Sequence, residues 1–286
     1  MFLADKWKDY ELLDTSDGMR LERWGKYTLV RPDPQVIWKN EKNHPKWKTA
    51  DASYQRVGGG GAWNENKLPA EWPIRYGNLQ FIIRPMGFKH TGLFPEQAAN
   101  WDYMMNLISS ANRPIKVLNL FAYTGGATVA AASAGAEVVH VDASKGMVAY
   151  AKENAAKNGL ENSKIRYIVD DCKKFAEREI RRGHTYDGIV MDPPSYGRGP
   201  GGEVWKLEES IDEFLAIASQ LISDKPLFFI LNSYTTGLSA FTMKYLVSRR
   251  ILNKRTGKIE AEELGLPVTQ TGLALPCGST VRVSFE

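Results

Sequence analysis

The stretch from Ile115 to Gly135 constrains the fold more than any other part of the chain. It joins an apolar strand, Lys116–Phe121, through a glycine turn to an alanine-rich helix, Gly126–Ala134. A strand that passes through a tight turn into a helix is half of a βαβ unit, which builds a parallel sheet with helices packed on it. In such sheets ligands bind at the carboxyl ends of the strands, where the turns lie.

The same alternation runs through the rest of the chain and predicts an α/β fold with helices on both faces of a parallel sheet. The predicted helices are Phe94–Ser110, Gly126–Ala134, Ser144–Asn158, Asp171–Arg181, Leu207–Ile222 and Leu238–Ser248. The predicted strands are Lys116–Phe121, Glu137–Val141, Lys164–Val169, Tyr186–Met191, Leu227–Leu231, Lys258–Ala261 and Thr280–Phe285.

The first part of the chain has a different pattern, with short apolar runs separated by turn residues. The predicted strands there are Tyr10–Leu13, Met19–Trp24, Lys26–Arg31 and Leu79–Arg84, and the glycines at 58–61 predict a loop. We therefore predict a small β-rich, substrate-binding domain over residues 1–85 and a larger domain over residues 86–286.

Residues 1–90 also carry the positive charge, with 15 Lys and Arg against 11 Asp and Glu, and six of the eight tryptophans. Lys39 and Trp47 belong to a segment in which lysines alternate with aromatic rings. Cations bind phosphates and rings stack on bases, so these two residues are candidates for nucleic-acid binding. The same pattern also fits a small domain anchored by tryptophan with lysines on its rim, and both interpretations stay open.

Composition excludes several classes of protein. No apolar run approaches the ~20 residues that cross a bilayer, and the first ten residues are charged where a signal peptide would be apolar. The two cysteines, Cys172 and Cys277, give neither a disulfide framework nor a zinc motif. We expect a cytoplasmic protein without bound metal or membrane contact, either a monomer or a homodimer.

The turn after the first strand has the sequence Phe121-Ala122-Tyr123-Thr124-Gly125-Gly126. It lacks the GxGxxG pattern whose glycines make room for a pyrophosphate, which disfavours a dinucleotide. The second strand leads into Asp142, 17 residues beyond Gly125, where a carboxylate accepts hydrogen bonds from ribose hydroxyls. The pattern predicts a nucleoside-like cofactor, although the same glycines and acid also occur in purely structural turns.

The third strand is followed by Asp170, Asp171 and Cys172. We expect Asp171 to accept a hydrogen bond from the adenine amine and Asp170 to be its solvated neighbour. Either aspartate could instead cap the following helix, and both roles are compatible.

The fourth strand runs into Asp192-Pro193-Pro194-Ser195-Tyr196. Prolines stop strand pairing and make the turn rigid. A rigid turn that presents a carboxylate, backbone carbonyls and an aromatic ring suits a flat base as the acceptor. Asp192, Pro193, Pro194 and Tyr196 are therefore the candidate catalytic residues.

Taken together, these segments resemble class I S-adenosylmethionine-dependent methyltransferases, in particular the bacterial enzymes that methylate bases of large-subunit ribosomal RNA. The segment Lys89–Gln97 is similar to the family's KTGxFxxQ motif. The resemblance implies a Rossmann-like, seven-stranded sheet whose last strand is antiparallel, and S-adenosylmethionine as the cofactor. The residues that it implies for the cofactor pocket are Thr91, Gln97, Phe121, Tyr123, Thr124, Gly125, Asp142, Ala143, Asp171, Cys172 and Asp192.

The sequence departs from this family after the fifth strand. Members that make 5-methylcytosine attack the base with a cysteine there, whereas this chain has Asn232-Ser233-Tyr234. We therefore expect direct transfer to a ring or exocyclic nitrogen. The glycine-rich loop of residues 197–205 supplies Arg198 for a phosphate and Trp205 for stacking on a base, unless it is a plain surface loop.

The leading hypothesis is a methyltransferase acting on an RNA base. Two alternatives remain at this stage: methyl transfer to DNA, a small molecule or a protein, and a non-catalytic RNA-binding protein on the same fold.

Overall fold

The computed structural model describes residues 1–57, 60–64, 67–87, 89–198, 204–235, 237–253 and 255–286, without the side chains of Arg56, Val57 and Arg198. The chain forms two compact units. The first contains residues 1–99 and 265–277, and the second contains residues 100–264 and 278–286. The predicted domain boundary after residue 85 divides the chain at one point, whereas each compact unit consists of two chain segments. The predicted boundary stays a prediction.

Strands are the main regular elements of the first unit. Its strands are β1 (Phe2–Leu3), β2 (Tyr10–Ser16), β3 (Met19–Trp24), β4 (Tyr27–Pro32), β5 (Ala52–Val57), β6 (Gly60–Asn64), β7 (Trp72–Tyr76) and β8 (Leu79–Ile83), with the short helix α1 (Lys46–Thr49) before β5. One five-stranded sheet has the order β2-β3-β4-β5-β6, and β7 pairs with β8. The hairpins are antiparallel, while β4 and β5 pair in parallel.

The sheet of the first unit encloses a buried ionic cluster. Glu22 on β3 is 0% exposed and accepts two hydrogen bonds from the Arg31 guanidinium, at 2.6 and 2.8 Å, and one from the Tyr10 hydroxyl, at 2.8 Å. The Arg20 Nε lies 3.5 Å from the same carboxylate. Buried charges are tolerated only when they are paired in this way.

The second unit has the predicted alternation. Its helices are α2 (Ala98–Ser110, after a 3₁₀ turn Pro95–Gln97), α3 (Gly126–Ser133), α4 (Lys145–Lys157), α5 (Cys172–Arg181), α6 (Leu207–Ser219) and α7 (Ala240–Val247, continued by a π-helical turn Ser248–Leu252). Its strands are β9 (Lys116–Leu120), β10 (Glu137–Asp142), β11 (Ile165–Val169), β12 (Gly188–Met191), β13 (Tyr196–Arg198), β14 (Val204–Lys206) and β15 (Phe228–Ser233). It also contains the parts of β16 (Gly257–Pro267) and β17 (Ala274–Phe285) that lie outside residues 265–277.

The main sheet has the order β1-β16-β17-β15-β12-β9-β10-β11. Its central strands are parallel, and the last strand, β17, is antiparallel to β15. Every residue of β12 and β15 is buried, as expected for strands covered on both faces. The α/β architecture with an antiparallel last strand is therefore confirmed, with the two-residue β1 added at one edge.

The structure differs from the predictions mainly at the two ends of the chain. Strands β5, β6 and β7 were not predicted, and Gly60 and Gly61, predicted as loop, belong to β6. Strands β16 and β17 have 11 and 12 residues and are much longer than predicted. Among the described residues, no helix is long and apolar enough to cross a membrane.

Candidate functional site

Two aspartates lie at equivalent positions on either side of the first strand of the sheet. Val141 of β10 and Met191 of β12 both pair with Leu120 of β9. Asp142 is the next residue of β10, and Asp192 directly follows β12. The two aspartates therefore lie at the same level of the sheet, on either side of β9. The turn that begins with Phe121 therefore lies between the ends of β10 and β12, each of which is marked by an aspartate.

This turn has an unusual backbone. Phe121 and Tyr123 have φ angles of +56° and +48°, a left-handed conformation that residues other than glycine rarely adopt. The Ala122 N–H donates to the carbonyl of Val141 at 3.0 Å, and the Tyr123 N–H donates to the Asp142 carboxylate at 2.8 Å. These bonds turn the chain toward β10 and leave the side chains of Phe121 and Tyr123 partly exposed.

Asp142 is the electrostatic centre of the turn. Each of its oxygens accepts one backbone N–H at 2.8 Å, from Tyr123 and from Ser144. Burial raises the pKa of this carboxyl above its ordinary value, and the two backbone hydrogen bonds only partly oppose that shift. A carboxylate oxygen accepts more than one hydrogen bond, so Asp142 retains capacity for the hydroxyls of a ribose. Ala143, the next residue, is exposed.

Gly125 is required for packing as well as for the turn. Its φ is +83°, and a Cβ there would lie 2.8 Å from the Cβ of Ala151 on α4. Asn154, three residues further along α4, is fully buried and donates its side-chain N–H to the Thr124 carbonyl at 2.8 Å. Asn154 was not among the site residues predicted from the sequence. The signal was a polar residue on the helix face otherwise formed by Val148, Ala151 and Ala155.

A series of hydrogen bonds between buried polar side chains also supports the turn. The Asn119 side chain donates to the Thr128 hydroxyl at 2.9 Å, and that hydroxyl lies 2.9 Å from Nδ1 of His140. Burial lowers the pKa of His140 to about 4, so its ring is neutral at physiological pH.

Asp171, one of the acids after the third strand, has the capping role that the sequence left open. It caps α5, because its side chain accepts the Lys174 N–H at 2.9 Å, and its contact with adenine stays a prediction. Asp170, expected to be the solvated neighbour, is partly exposed and forms an ion pair with Arg178, in the second turn of α5. The partly buried Asp171 still lines a cavity of about 360 Å³ together with Val204 and Trp205.

Cys172 contributes to the turn rather than to catalysis. Its side chain is buried, and its sulfur accepts the Phe121 N–H at 3.2 Å. Burial raises the pKa of the Cys172 and Cys277 thiols, so neither is a thiolate at neutral pH. Cys277, which lies outside the predicted strand Thr280–Phe285, is a buried residue of β17.

The turn after β12 exposes the predicted acceptor residues. Pro193 is buried and Asp192 partly buried, whereas Pro194, Ser195 and Tyr196 are exposed. The Thr235 hydroxyl, which follows β15, donates to the Ser195 hydroxyl at 2.6 Å. The adjacent strand end therefore contributes to this turn, which the sequence argument did not foresee.

The predicted substrate loop is only partly described. Residues 199–203 and the side chain of Arg198 lie outside the described residues. Trp205 was expected to stack on a base, and that role stays a prediction. Its ring packs on Phe121 and Phe214, with centroids 5.4 and 5.8 Å away. Its indole N–H donates to the Pro194 carbonyl at 2.7 Å.

A second cavity, of about 530 Å³, lies at the opposite, amino ends of the strands and is lined by Lys116, Arg166 and Glu179. The fully buried Glu179 carboxylate is bonded to Tyr186, at 2.7 Å, and to His184, at 2.8 Å. These bonds connect the end of α5 to the start of β12. We therefore assign Glu179 to the scaffold rather than to a ligand site.

Four predicted site residues belong to the first unit. Thr91 and Gln97 are buried there, and their role at the cofactor stays a prediction. Trp47 donates its N–H to Asp14 at 2.7 Å and packs on the buried cluster of Leu13 and its neighbours. Its ring is therefore a structural anchor, at least in part. Lys39 is 82% exposed and pairs with Asp17 at 3.6 Å.

The described residues contain no group of three or more His, Cys, Asp or Glu side chains that could hold a metal ion. Their polar groups at the carboxyl end of the sheet instead suit an uncharged nucleoside. Asp142 offers acceptor oxygens that suit ribose hydroxyls, and Asp171 follows the neighbouring strand, β11. This donor set fits the adenosine part of S-adenosylmethionine.

Comparison with known proteins agrees with this geometry. A model of the S-adenosylmethionine-dependent methyltransferase family matches residues 55–207. The crystal structure of a SAM-dependent methyltransferase from Agrobacterium tumefaciens is 38% identical, with a TM-score of 0.93 over 99% of this chain and 93% of that one. A Streptococcus mutans structure described as a SAM-dependent methyltransferase shares the fold, with 18% identity and a TM-score of 0.75 over 98% of this chain and 76% of that one.

Curated relatives match a shorter part of the chain. Ribosomal RNA large subunit methyltransferase K/L of Shewanella baltica is 34% identical over 134 residues, which is 46% of this chain and 17% of that protein. The chain thus spans only a fraction of the length of the relative that it matches.

Proposed function

Because the chain belongs to the S-adenosylmethionine-dependent methyltransferase family, we propose that it transfers a methyl group directly to a nitrogen of a ribosomal RNA base. The observation that carries this proposal is the register of the sheet. It sets Asp142 and Asp192 at the same level on either side of the turn after β9, one for the cofactor and one for the acceptor.

S-adenosylmethionine, when bound, supplies an electrophilic methyl group on a positively charged sulfur. Asp142 orients the ribose through its carboxylate, and the Phe121–Gly125 turn shapes the wall beside it. Asp171 and the backbone at Cys172 are proposed to contact the adenine. Thr124 and Ala143 complete this side of the proposed cofactor pocket.

On the acceptor side, Asp192 and the Pro193 carbonyl are proposed to accept hydrogen bonds from the base and fix its nitrogen in line with the methyl group. Tyr196, exposed at the edge of the turn, stacks on the base. Positioning and exclusion of water are sufficient for this reaction, because a neutral ring nitrogen is already a nucleophile. As the nitrogen–carbon bond forms, the carbon–sulfur electron pair stays on sulfur, and a proton on the nitrogen leaves to Asp192 or water.

Direct transfer is favoured over a covalent enzyme–base adduct by the state of the thiols. Both cysteines are buried and protonated, as described above, and β15 ends in Ser233 rather than cysteine. The alanine or serine variants of Cys277 should therefore retain methyl transfer, whereas abolished transfer with intact cofactor binding would contradict direct attack.

RNA as the acceptor is supported by the relatives' names and by the exposed lysines of the first unit, Lys39, Lys42, Lys46 and Lys48. Such a protein works where ribosomes are assembled, so we propose a cytoplasmic location. Arg198 is proposed to contact a phosphate.

The test is transfer of a labelled methyl group to total RNA from a strain that lacks the gene, followed by mass mapping of the modified nucleoside. We expect label in large-subunit ribosomal RNA and loss of that label in the Asp192→Ala variant. Binding of S-adenosylhomocysteine without transfer to any RNA fraction would refute the RNA proposal but not the family. The affinity for RNA should also fall steeply as salt increases, because phosphate contacts release counterions.

A further inference from the structure

The cofactor turn contains a backbone conformation that must be held in place by its neighbours. Phe121 and Tyr123 both have positive φ angles although neither is glycine. Strain of this kind persists only where surrounding contacts determine it, and it is concentrated at functional sites. The contacts that hold Phe121 therefore decide the shape of the cofactor site.

Three groups hold Phe121. Its N–H donates to the Cys172 sulfur at 3.2 Å. Its ring packs on Phe214, with centroids 5.6 Å apart, and on Trp205, at 5.4 Å. Trp205 and Phe214 also contact each other at 5.8 Å, which closes a triangle of three rings. Of the two rings against Phe121, Phe214 is buried in the core, whereas Trp205 is partly exposed.

Trp205 reaches the acceptor turn through a different atom. Its indole N–H donates to the Pro194 carbonyl at 2.7 Å. It lies on β14, paired with Gly197 of β13, and the Leu207 N–H donates to the Ser195 carbonyl at 3.0 Å. Trp205 and Leu207 therefore both bond to the turn that contains Pro194 and Ser195.

We infer that Trp205 is a positioning residue that couples the cofactor turn to the acceptor turn. Its ring fixes Phe121 and its N–H fixes Pro194, so one side chain sets the distance between the two halves of the reaction site. This inference rests on the proposed function, because it assumes that the turn at Asp192 receives the methyl acceptor. Coupling of this kind is reciprocal, so bound cofactor should tighten acceptor binding and the reverse.

The simpler role for Trp205 is that of a base-stacking platform. Its ring contacts Phe121 and Phe214, and its only polar atom, the indole N–H, is bonded to the Pro194 carbonyl. Substitutions that remove these contacts separately distinguish the two roles.

Two substitutions separate the two contacts. Trp205→Phe keeps an aromatic ring against Phe121 and removes the N–H, while Trp205→Leu removes both. The measurements are the Kd for S-adenosylhomocysteine by calorimetry, and kcat and KM for methyl transfer to ribosomal RNA from a strain that lacks the gene.

For Trp205→Phe we expect an unchanged Kd for S-adenosylhomocysteine and a kcat lowered about tenfold, the size expected for one lost hydrogen bond in the transition state. For Trp205→Leu we expect the same loss of kcat and, in addition, a Kd raised about tenfold, from the lost ring contact. Trp63→Phe is the matched control, because Trp63 also donates its N–H to a carbonyl, that of Met86, at 2.9 Å. We expect it to leave all three quantities unchanged.

Several results would overturn the inference. If Trp205→Phe lowers only the melting temperature and leaves kcat intact, the indole is merely structural. If both variants raise only KM for RNA, it is a stacking platform. If Trp205→Leu binds S-adenosylhomocysteine normally, the ring does not support the cofactor turn. Failure of the proposed function looks different, because the unmodified protein itself would then bind S-adenosylhomocysteine yet transfer no methyl group to RNA.

Discussion

Two carboxylates, one in each unit, show how the same chemical group serves either structure or function. Glu22 in the first unit is completely buried and is surrounded by Arg20, Arg31 and the Tyr10 hydroxyl. Asp142 in the second unit accepts two backbone N–H groups, those of Tyr123 and Ser144, and remains partly exposed. One carboxylate is therefore saturated by its own protein, and the other keeps acceptor capacity on the side of the strand ends.

The pKa values of Glu22 and Asp142 shift in opposite directions, although burial tends to raise both. At Glu22 the neighbouring arginines outweigh burial and lower the pKa to about 2, whereas at Asp142 two backbone hydrogen bonds do not outweigh burial and the pKa is raised. A buried acid without a cation is energetically poised to gain a partner, which is a property of binding sites. A saturated acid has no such need.

The largest effect expected from this contrast is on stability. Glu22→Gln leaves Arg31 and Arg20 buried without their counter-charge, which should lower the free energy of unfolding by about 3–5 kcal/mol. Urea unfolding monitored by tryptophan fluorescence measures it. Glu11→Gln is the control, because Glu11 forms a partly exposed pair with Arg23 at 3.1 Å and should cost about 1 kcal/mol or less. Equal losses for the two variants would contradict the structural role of Glu22.

The same pair predicts a pH dependence. The pKa of Glu22 is lower in the folded chain than its ordinary value of 4.5, so its contribution to stability is complete above pH 4.5. That contribution is lost as the pH falls from 4.5 toward 2, and by linkage it amounts to roughly 3 kcal/mol. The difference in stability between the unmodified protein and Glu22→Gln should therefore shrink over this range. A constant difference down to pH 2 would show that Glu22 is not ionised in the fold.

Compared with Glu22, substitution of Asp142 should have a large effect on S-adenosylhomocysteine binding and a small effect on the free energy of unfolding. Asp142→Asn replaces one of two acceptor oxygens by a donor, and the Kd for S-adenosylhomocysteine should rise about 100-fold, close to 3 kcal/mol. Calorimetry measures it. Asp170→Asn is the matched control, because Asp170 is occupied by Arg178, and it should change the Kd less than threefold. Equal effects would remove the distinction between the two acids.

The sequence predicted the alternation in the second unit well, because strand and helix periods there are supported by clear turns and caps such as Ser144 and Asp171. It predicted where Asp142 and Asp192 lie for the same reason, since a strand end is a local feature. Glu22 was missed because its partners Arg31 and Tyr10 are nine and twelve residues away, and only the pairing of β2, β3 and β4 brings them together.

Trp205 shows the same limit in the site. The sequence identified it as an aromatic residue in a substrate loop, but its contacts with Phe121 and Phe214 depend on tertiary packing. Strands β5 and β6 were missed because glycines and polar residues, which ordinarily predict loops, occupy them.

Two glycines at the ends of α3 separate steric from conformational cost within the second unit. Gly125 and Gly135 both have positive φ, +83° and +97°, but a Cβ would meet Ala151 only at Gly125. Gly135→Ala should cost about 1 kcal/mol of stability for the left-handed conformation alone. Gly125→Ala should cost about 2 kcal/mol or more, because overpacking is added, and it should weaken S-adenosylhomocysteine binding, which Gly135→Ala should not. Equal costs would mean that α4 moves to accommodate the methyl group.

The smallest expected effect concerns Trp47, for which the sequence left both a structural and a nucleic-acid role open. Trp47→Phe removes the N–H that bonds Asp14 at 2.7 Å but keeps an aromatic ring on the apolar cluster. We expect a loss of about 1 kcal/mol in unfolding free energy and unchanged affinity for ribosomal RNA in a filter-binding assay. Lys39→Gln is the complementary variant, because Lys39 is 82% exposed. It should leave stability intact and reduce the salt dependence of RNA binding by about one phosphate contact. If Trp47→Phe instead weakens RNA binding at full stability, the ring contacts RNA, and the first unit, like the second, keeps unsaturated groups for a ligand.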